Sequence, residues 1–472
     1  MISDITQIDS SVRYDCCVIG AGPAGLTVAM GLAARQHNVL LLEAGEFDFS
    51  DRSQEIYRGE VIGDSYFDLD QARLRYFGGT SGHWAGWCRA LDESDFLMKE
   101  HFPKAFWPIR KADLDPYMAA ASEMVETWMP PPDEEVPGFG IKRIHVTFSP
   151  PVHFGEKYYD KVRDAANITV CPKANVFGFQ SNGSAITGVT AVDYEGNSVD
   201  VSAKYFILAC GGIENSRILL YANINNNGQI IKNDTTLGKY WMEHPLFTIG
   251  SVLLFQPPGE RRTFYALTAD KKRELGVLNC ALRIEANVYR EQTKQMISDI
   301  ACVAPALGEW ALRQLGYGLV CGVQIRATWE QEPRPENRIE LSEDIIDRFG
   351  VPRTVLHWTK SERDLQTLRK TALQYGEYLA QTDAGRLKLD NWVIAQGDYP
   401  EDDDLAGYHH MGGTRMADSP SEGVVDRDLK VWGLDNFYVC GSSVFPSGGH
   451  AMPTLTILQL ALRLVDHLSP KV

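Results

Sequence analysis

Residues 14 to 19, YDCCVI, form a short apolar run of strand type that leads directly into Gly20-Ala21-Gly22-Pro23-Ala24-Gly25. Beyond the glycines, LTVAMGLAARQ carries apolar positions in a helical pattern, and a second apolar run, NVLLLEAG, ends its strand at the acid Glu43. The pattern predicts strand, tight turn, helix and acid-terminated strand inside about thirty residues, which is the arrangement of a dinucleotide-binding unit. Each part has a physical task. Gly20 permits the turn, Gly22 lets backbone amides approach a pyrophosphate, and Gly25 lets the helix pack close to the strand. Pro23 and Ala24 open the helix, whose N-terminus faces the negative charge. Glu43 can accept hydrogen bonds from a ribose diol, which disfavours a 2′-phosphate and leaves NAD and FAD both open.

Farther on, ITVCPKANVFGFQ, AITGVTAVDYEG and VDVSAKYFILACGGIENSRILL, within residues 168 to 220, read as short strands. The last of them alternates, becomes fully apolar and meets a double glycine and a helix start, so it is expected to return to the first sheet. The nucleotide-binding unit is therefore discontinuous. Between 246 and 399, TFYALTADKKRELGVLNCALRIEANV and GLVCGVQIRATWEQ read as strands and connectors, and SERDLQTLRKTALQYGEYLAQT as an amphipathic helix. The tract NINNNGQIIKNDTT (223 to 236) reads as an exposed loop, and PEDDDLAGYHH (400 to 410) leads from acidic surface to two adjacent histidines.

Composition narrows the partners. The chain has 472 residues, 44% hydrophobic, which is enough to bury a cofactor whole. Its 46 basic and 62 acidic residues give a formal charge of -16, which repels nucleic acid and anionic bilayers. Nine scattered cysteines without a CxxC pair indicate neither a disulfide framework nor a metal site. The segment 301 to 323 is the most membrane-like, but Glu309 and Arg313 interrupt it and favour a core or lid helix over a transmembrane one. The N-terminus shows no leader pattern and no myristoylation glycine, so a cytoplasmic protein is expected.

Five ordered stretches then carry a resemblance over nearly the whole chain. YFGGTSGHWAGWCRALDESDF (76 to 96), WPIRKADLDPY (107 to 117), LGKYWMEHP (237 to 245), EQEPRPENRIEL (330 to 341) and the C-terminal region from HHMGGTRM to GGHAMPTLTI (409 to 457) resemble the motifs of the glucose-methanol-choline (GMC) oxidoreductases. The similarity is strongest to the branch of pyranose oxidases and of the flavoprotein subunits of fructose and gluconate dehydrogenases. It implies an α/β fold in two parts. A discontinuous Rossmann-like FAD-binding domain would comprise 1–100, 165–245 and 400–472, and a sheet-plus-helices substrate-binding domain 101–164 and 246–399. It also implies FAD as cofactor and oxidation of a secondary alcohol of a sugar, glycoside or polyol by hydride transfer to flavin N5, with oxygen or another electron acceptor. An NAD-dependent dehydrogenase is disfavoured, because the C-terminal motifs have no use without a flavin.

Carried over residue by residue, the resemblance lays Gly79, Thr80 and Ser81 along the isoalloxazine ring, with Trp84 and Ala85 following. Val176 would meet the adenine, Gly441 and Ser442 the pyrophosphate side, and Pro453 and Thr454 the pyrimidine edge. Ala44, Ala209 and Gly211 would complete the cofactor contacts. Ser81-Gly82-His83-Trp84 matches a pyranose-oxidase pattern whose histidine bonds covalently to the flavin, so His83 is read either as an attachment point or as a hydrogen-bonding neighbour. His409 aligns with the family's catalytic base, a role that suits an imidazole near neutral pH, with His410 as its neighbour. The family usually has GGHANPTLT, with the asparagine contacting the substrate oxygen; here Met452 takes that position, and a thioether cannot donate a proton. Three explanations stay open: His450 substitutes, one histidine suffices, or the reaction differs, as in a lyase-like or weakly catalytic flavoprotein.

Overall fold

A computed structural model of the chain describes residues 1–255, 260, 262–285, 323–395, 399–400 and 406–471. The segment read as a core or lid helix (301 to 323) lies, apart from Val323, outside the described residues, as does most of the acidic approach from 401 to 405.

The first sheet is built around the strand Arg13–Ile19, which pairs in parallel with Val39–Leu42 on one side and with Ser198–Leu208 on the other. Ile168–Cys171 extends it beyond Val39–Leu42, and Phe437–Val439 adds a parallel strand beyond Ser198–Leu208. Parallel strands covered on both faces read as continuous apolar runs, and Cys16, Cys17, Val18 and Val39 to Leu42 are all buried. The early half of Ser198–Leu208 instead pairs antiparallel with Ile186–Val192, which continues to Asn175–Ser181. The return of a distant strand to the first sheet, read from the apolar run before Gly211, is thus observed.

Helices Pro23–Ala33 and Pro453–Leu468 pack on this sheet, with Leu26, Leu32, Leu458, Leu464 and Val465 in one core. Gly31 makes that close approach possible, since a Cβ there would lie 2.8 Å from a Val465 methyl. Phe154, Tyr158 and Val162 of helix Phe154–Arg163 join the same core, as do Leu114, Ala121 and Val125. Much of the segment 101–164 therefore packs with the nucleotide-type sheet. Only Glu134–Val136 and Ile141–Ile144 extend the other one.

That second sheet is antiparallel, in the order Gly385–Leu389, Leu246–Leu254, Val323–Trp329, Cys280–Glu285, Arg262–Leu267, Ile141–Ile144 and Glu134–Val136. Helix Glu362–Gln381 covers it through Leu365, Leu368, Ala372, Tyr375 and Leu379, one amphipathic face at helical spacing. Its start is fixed by Ser361, whose Oγ accepts from the Asp364 amide while the Asp364 carboxylate accepts from the Ser361 amide. A third small sheet joins Gly59–Gly63 to the hairpin Arg338–Ile346 and Pro352–Trp358.

Two local readings are corrected. Ala269–Leu275, read as a connector, is a helix, capped by Thr268 and closed by Gly276 in the left-handed region. The tract 223 to 236 is not simply exposed: Ile230 and Ile231 are buried, because the Asn223 side chain binds both the amide and the carbonyl of Ile231 and folds the tract back on its helix.

Candidate active site

One cavity of about 730 Å³ runs from the glycine turn to the last helix. Of the residues singled out in the sequence, Gly20, Gly22, Pro23, Ala24, Glu43, Ala44, Gly79, Thr80, Ser81, His83, Trp84, Ala85, Val176, Ala209, Gly211, Gly441, Ser442, Pro453 and Thr454 line it. His409, His450 and Met452 line it too. Gly25 does not. It sits where a Cβ would run into the Gly20 carbonyl, so its part is the close packing of helix on turn.

The cavity wall suits a dinucleotide. Gly20 has φ +100°, and a Cβ on it would lie 2.7 Å from the Ala209 carbonyl oxygen, so the turn demands glycine. At Gly22, Gly211 and Gly441 a Cβ would meet nothing within 4 Å, which leaves backbone open towards the cavity. Helices Pro23–Ala33, Gly211–Asn225 and Pro453–Leu468 all present their N-terminal residues to it, an arrangement that favours anionic groups. Arg73 adds a buried guanidinium whose Nη2 has no hydrogen-bond partner among the described residues, stacked 3.8 Å over the Tyr57 ring. These groups would hold the pyrophosphate of a flavin dinucleotide.

Some of the expected contacts are already engaged. Glu43 accepts from the Ala21 amide at 2.7 Å and the Gly45 amide at 2.8 Å, so its carboxylate also ties the turn to the second strand. The Ser81 hydroxyl donates to the Gly78 carbonyl at 2.7 Å and accepts from the Phe154 amide at 3.0 Å. Ser442 Oγ donates to the His410 carbonyl at 2.6 Å. Each hydroxyl has thus given its one proton, so what these serines still offer a cofactor is their backbone or a hydroxyl lone pair.

At the far end the segment 242–245 runs antiparallel to 406–411, held by bridges Met242 to Met411 and Pro245 to Ala406. This pairing sets His244 across from His409, with their Nδ1 atoms 2.8 Å apart. Glu243, fully buried, accepts the amides of His244 and His409 at 2.7 Å each on Oε1 and the Tyr66 hydroxyl at 2.6 Å on Oε2. Burial pushes the Glu243 carboxyl up to about 7 despite these donors. Tyr66 in turn lies 3.0 Å from His410 Nε2. Burial lowers His244 to about 4 and His410 to about 3, the latter helped by Arg73 and His83. Burial likewise holds His409 well below the usual imidazole range, so all three rings are neutral at physiological pH.

His450 has a different setting. Arg89 Nε donates to His450 Nε2 at 3.2 Å, and the rest of that guanidinium is bound to Asp92 and Asp133, which Lys142 also bridges. An arginine N–H can only donate, so Nε2 carries the lone pair and the neutral ring carries its proton on Nδ1. That Nδ1 is buried and has no hydrogen-bond partner among the described residues. Burial holds this imidazole too well below its usual range, although Asp92 pulls the other way.

Sequence reading missed Tyr66, Arg73, Arg89, Glu243 and His244. Glu243 and His244 stand inside a quoted motif, but nothing local signals a partner 165 positions away. Among the described residues no helix is long and apolar enough to cross a membrane.

The FAD dependent oxidoreductase profile matches residues 15–232, and the GMC oxidoreductase C-terminal profile matches 333–461. The fructose dehydrogenase large subunit of Gluconobacter japonicus is 26% identical over 63% of this chain and 53% of its own length. The 2-methyl-1,2-propanediol dehydrogenase of Mycolicibacterium austroafricanum is 26% identical over 61% and 52%. A C-glycoside 3-oxidase of Microbacterium trichothecenolyticum is 28% identical over 34% and 28%. The chain thus spans about half the length of the first two relatives, and less of the third. The crystal structure of pyridoxine 4-oxidase from Mesorbium loti superposes with TM-score 0.57 at 15% identity, covering 96% of this chain and 99% of that one. With the glycine cradle, the three helix N-termini and both profiles in agreement, the chain resembles the FAD dependent oxidoreductases over 15–232 and the GMC oxidoreductases over 333–461, and it takes FAD as its cofactor.

Proposed function

We propose that the protein oxidises a secondary alcohol of a sugar, glycoside or polyol, with His409 taking the hydroxyl proton and His450 donating to the same oxygen. The supporting observation is that a ring with an acceptor to offer and a ring with a donor to offer line the same cavity as the cofactor cradle. FAD, when bound, supplies the acceptor for the hydride that leaves the carbinol carbon. The residues do the rest. His409 is neutral and its Nδ1 is taken by His244, so Nε2 is the nitrogen left for a substrate proton. The Nδ1–H of His450 can steady negative charge developing on oxygen, and it does so in a buried setting where such a bond is strong. Met452 then needs to be no more than wall.

The substrate end of the cavity is lined by Trp87, Arg89, Arg283, Arg326 and Thr328, with Arg283 and Arg326 directly opposite on paired strands. Indole, guanidinium and hydroxyl groups suit an oxygen-rich ligand. The named activities of the fructose dehydrogenase and C-glycoside oxidase relatives agree with that class. We read the division into FAD-binding and substrate-binding parts as the two large sheets, with the cavity between cradle and antiparallel sheet.

Anaerobic mixing with a panel of aldoses, ketoses, glycosides and cyclitols should bleach the flavin with at least one of them. If none bleaches it, and photoreduction shows the flavin to be competent, alcohol oxidation is not the reaction and the altered chemistry suggested by Met452 gains support.

A further inference from the structure

We propose that His244 is a positioning residue: it accepts a hydrogen bond from His409 Nδ1–H and thereby fixes the tautomer that leaves a lone pair on His409 Nε2. The inference rests on His409 being the base.

Two neutral imidazoles with Nδ1 atoms 2.8 Å apart must share one proton, and which ring owns it decides what His409 can do. If His244 owned it, His409 Nε2 would carry hydrogen and could only donate. The far side of His244 argues against that. Its Nε2 is packed on the GGHAMP turn so tightly that a Cβ on Gly448 would lie 2.8 Å away. Among the described residues no atom reaches full hydrogen-bond geometry with Nε2 there, and the backbone of Gly448 and Gly449 raises the ring's affinity for a proton, against the larger effect of burial. A hydrogen on Nε2, beside that turn backbone, would leave the neutral ring a bare Nδ1, and on this reading the shared proton is His409's. Burial keeps His244 neutral, so it stays an acceptor through turnover.

Both rings are held for this contact. Gly407 lies where a Cβ would come 2.9 Å from His409 Nδ1, and Glu243 anchors the two backbones through one carboxylate oxygen. When the substrate O–H breaks, its electron pair stays on oxygen and its proton goes to Nε2. The Nδ1–H bond is kept and becomes charge-assisted, which strengthens it. His244 is thus to His409 what the orienting partner is to a general base elsewhere.

The test reads the tautomer directly. In holoenzyme with ¹⁵N-labelled histidine, the His409 resonances are assigned by their loss in His409→Gln. They should show a protonated Nδ1 and an unprotonated Nε2; the opposite pattern overturns the proposal whatever the activity. His244→Leu should keep FAD, lose that tautomeric preference and slow anaerobic flavin reduction about a hundredfold, within the range of a misplaced base. His244→Asn, whose amide oxygen can accept from Nδ1–H, should restore both the pattern and most of the rate. Equal rates in the leucine and asparagine variants would mean that His244 only fills space. If His244→Leu does not fold, the wild-type spectrum and the asparagine variant still decide. Retention of the full reduction rate by His409→Gln would instead remove His409 as base while leaving the tautomer result standing.

Discussion

His409 and His450 reach the same cavity in opposite company. His409 faces another neutral ring and hangs from a buried carboxyl, whereas His450 faces a guanidinium inside a cluster of two carboxylates and a lysine. On the proposed reading an identical side chain takes an acceptor's task on one wall and a donor's on the other. A second proton on His450 would require Nε2 to abandon Arg89 and would place two cations together. Partners, not residue type, assign the roles.

The largest expected effect breaks the acceptor side. His409→Gln should retain FAD and slow flavin reduction by alcohol about a hundred- to ten-thousandfold, as loss of a positioned base does. Stopped-flow reduction under nitrogen reads it. A loss smaller than tenfold, with His410→Gln worse, would move the base to His410 and its Tyr66 contact.

Next in size is the donor side's support. Arg89→Met leaves the partly buried Asp92 and Asp133 with Lys142 as their remaining ion-pair partner among the described residues, and breaking a buried ion pair costs about 3–5 kcal/mol, an upper bound for carboxylates that keep some exposure. Thermal unfolding of the holoenzyme should fall accordingly. If the melting temperature stays put, the cluster is not holding this wall, and the donor assignment of His450 loses its foundation.

How much of this was legible in the chain depended on distance along it. The cradle was, because Gly20, Gly22 and Gly25 act within one turn and Glu43 follows at the end of the next strand. The amphipathic helix Glu362–Gln381 was, because Leu365 to Leu379 repeat with its own pitch. The helix Ala269–Leu275 was passed over although Thr268 and Gly276 mark its ends, since seven residues offer too little periodicity to register. The orientation of the histidines was out of reach. His244 meets His409, and Arg89 meets His450, only through contacts 165 and 361 positions apart. Burial of Ile230 and Ile231 likewise follows from one asparagine folding its tract back, where polar composition suggested a loop in solvent.

The smallest effect is expected at Met452, and it sharpens the contrast most. Met452 is the N-cap of helix Pro453–Leu468 and provides no side-chain cap, whereas asparagine is among the preferred N-cap residues. Met452→Asn should therefore raise stability by about 0.5–2 kcal/mol through an added bond to a first-turn amide, measurable as a higher melting temperature. Its amide NH₂ would still face the cavity that Met452 now lines. Because the Nδ1–H of His450 already supplies a donor, a second one should change flavin reduction by less than tenfold. His450→Ala alone should lose about a hundredfold, the effect of one preorganised donor. In that background Met452→Asn should recover much of the loss, so the two substitutions are strongly non-additive. A hundredfold acceleration by Met452→Asn in the wild-type background, with His450→Ala neutral, would show that the cavity lacks a donor as it stands and that His450 does not reach the reacting oxygen.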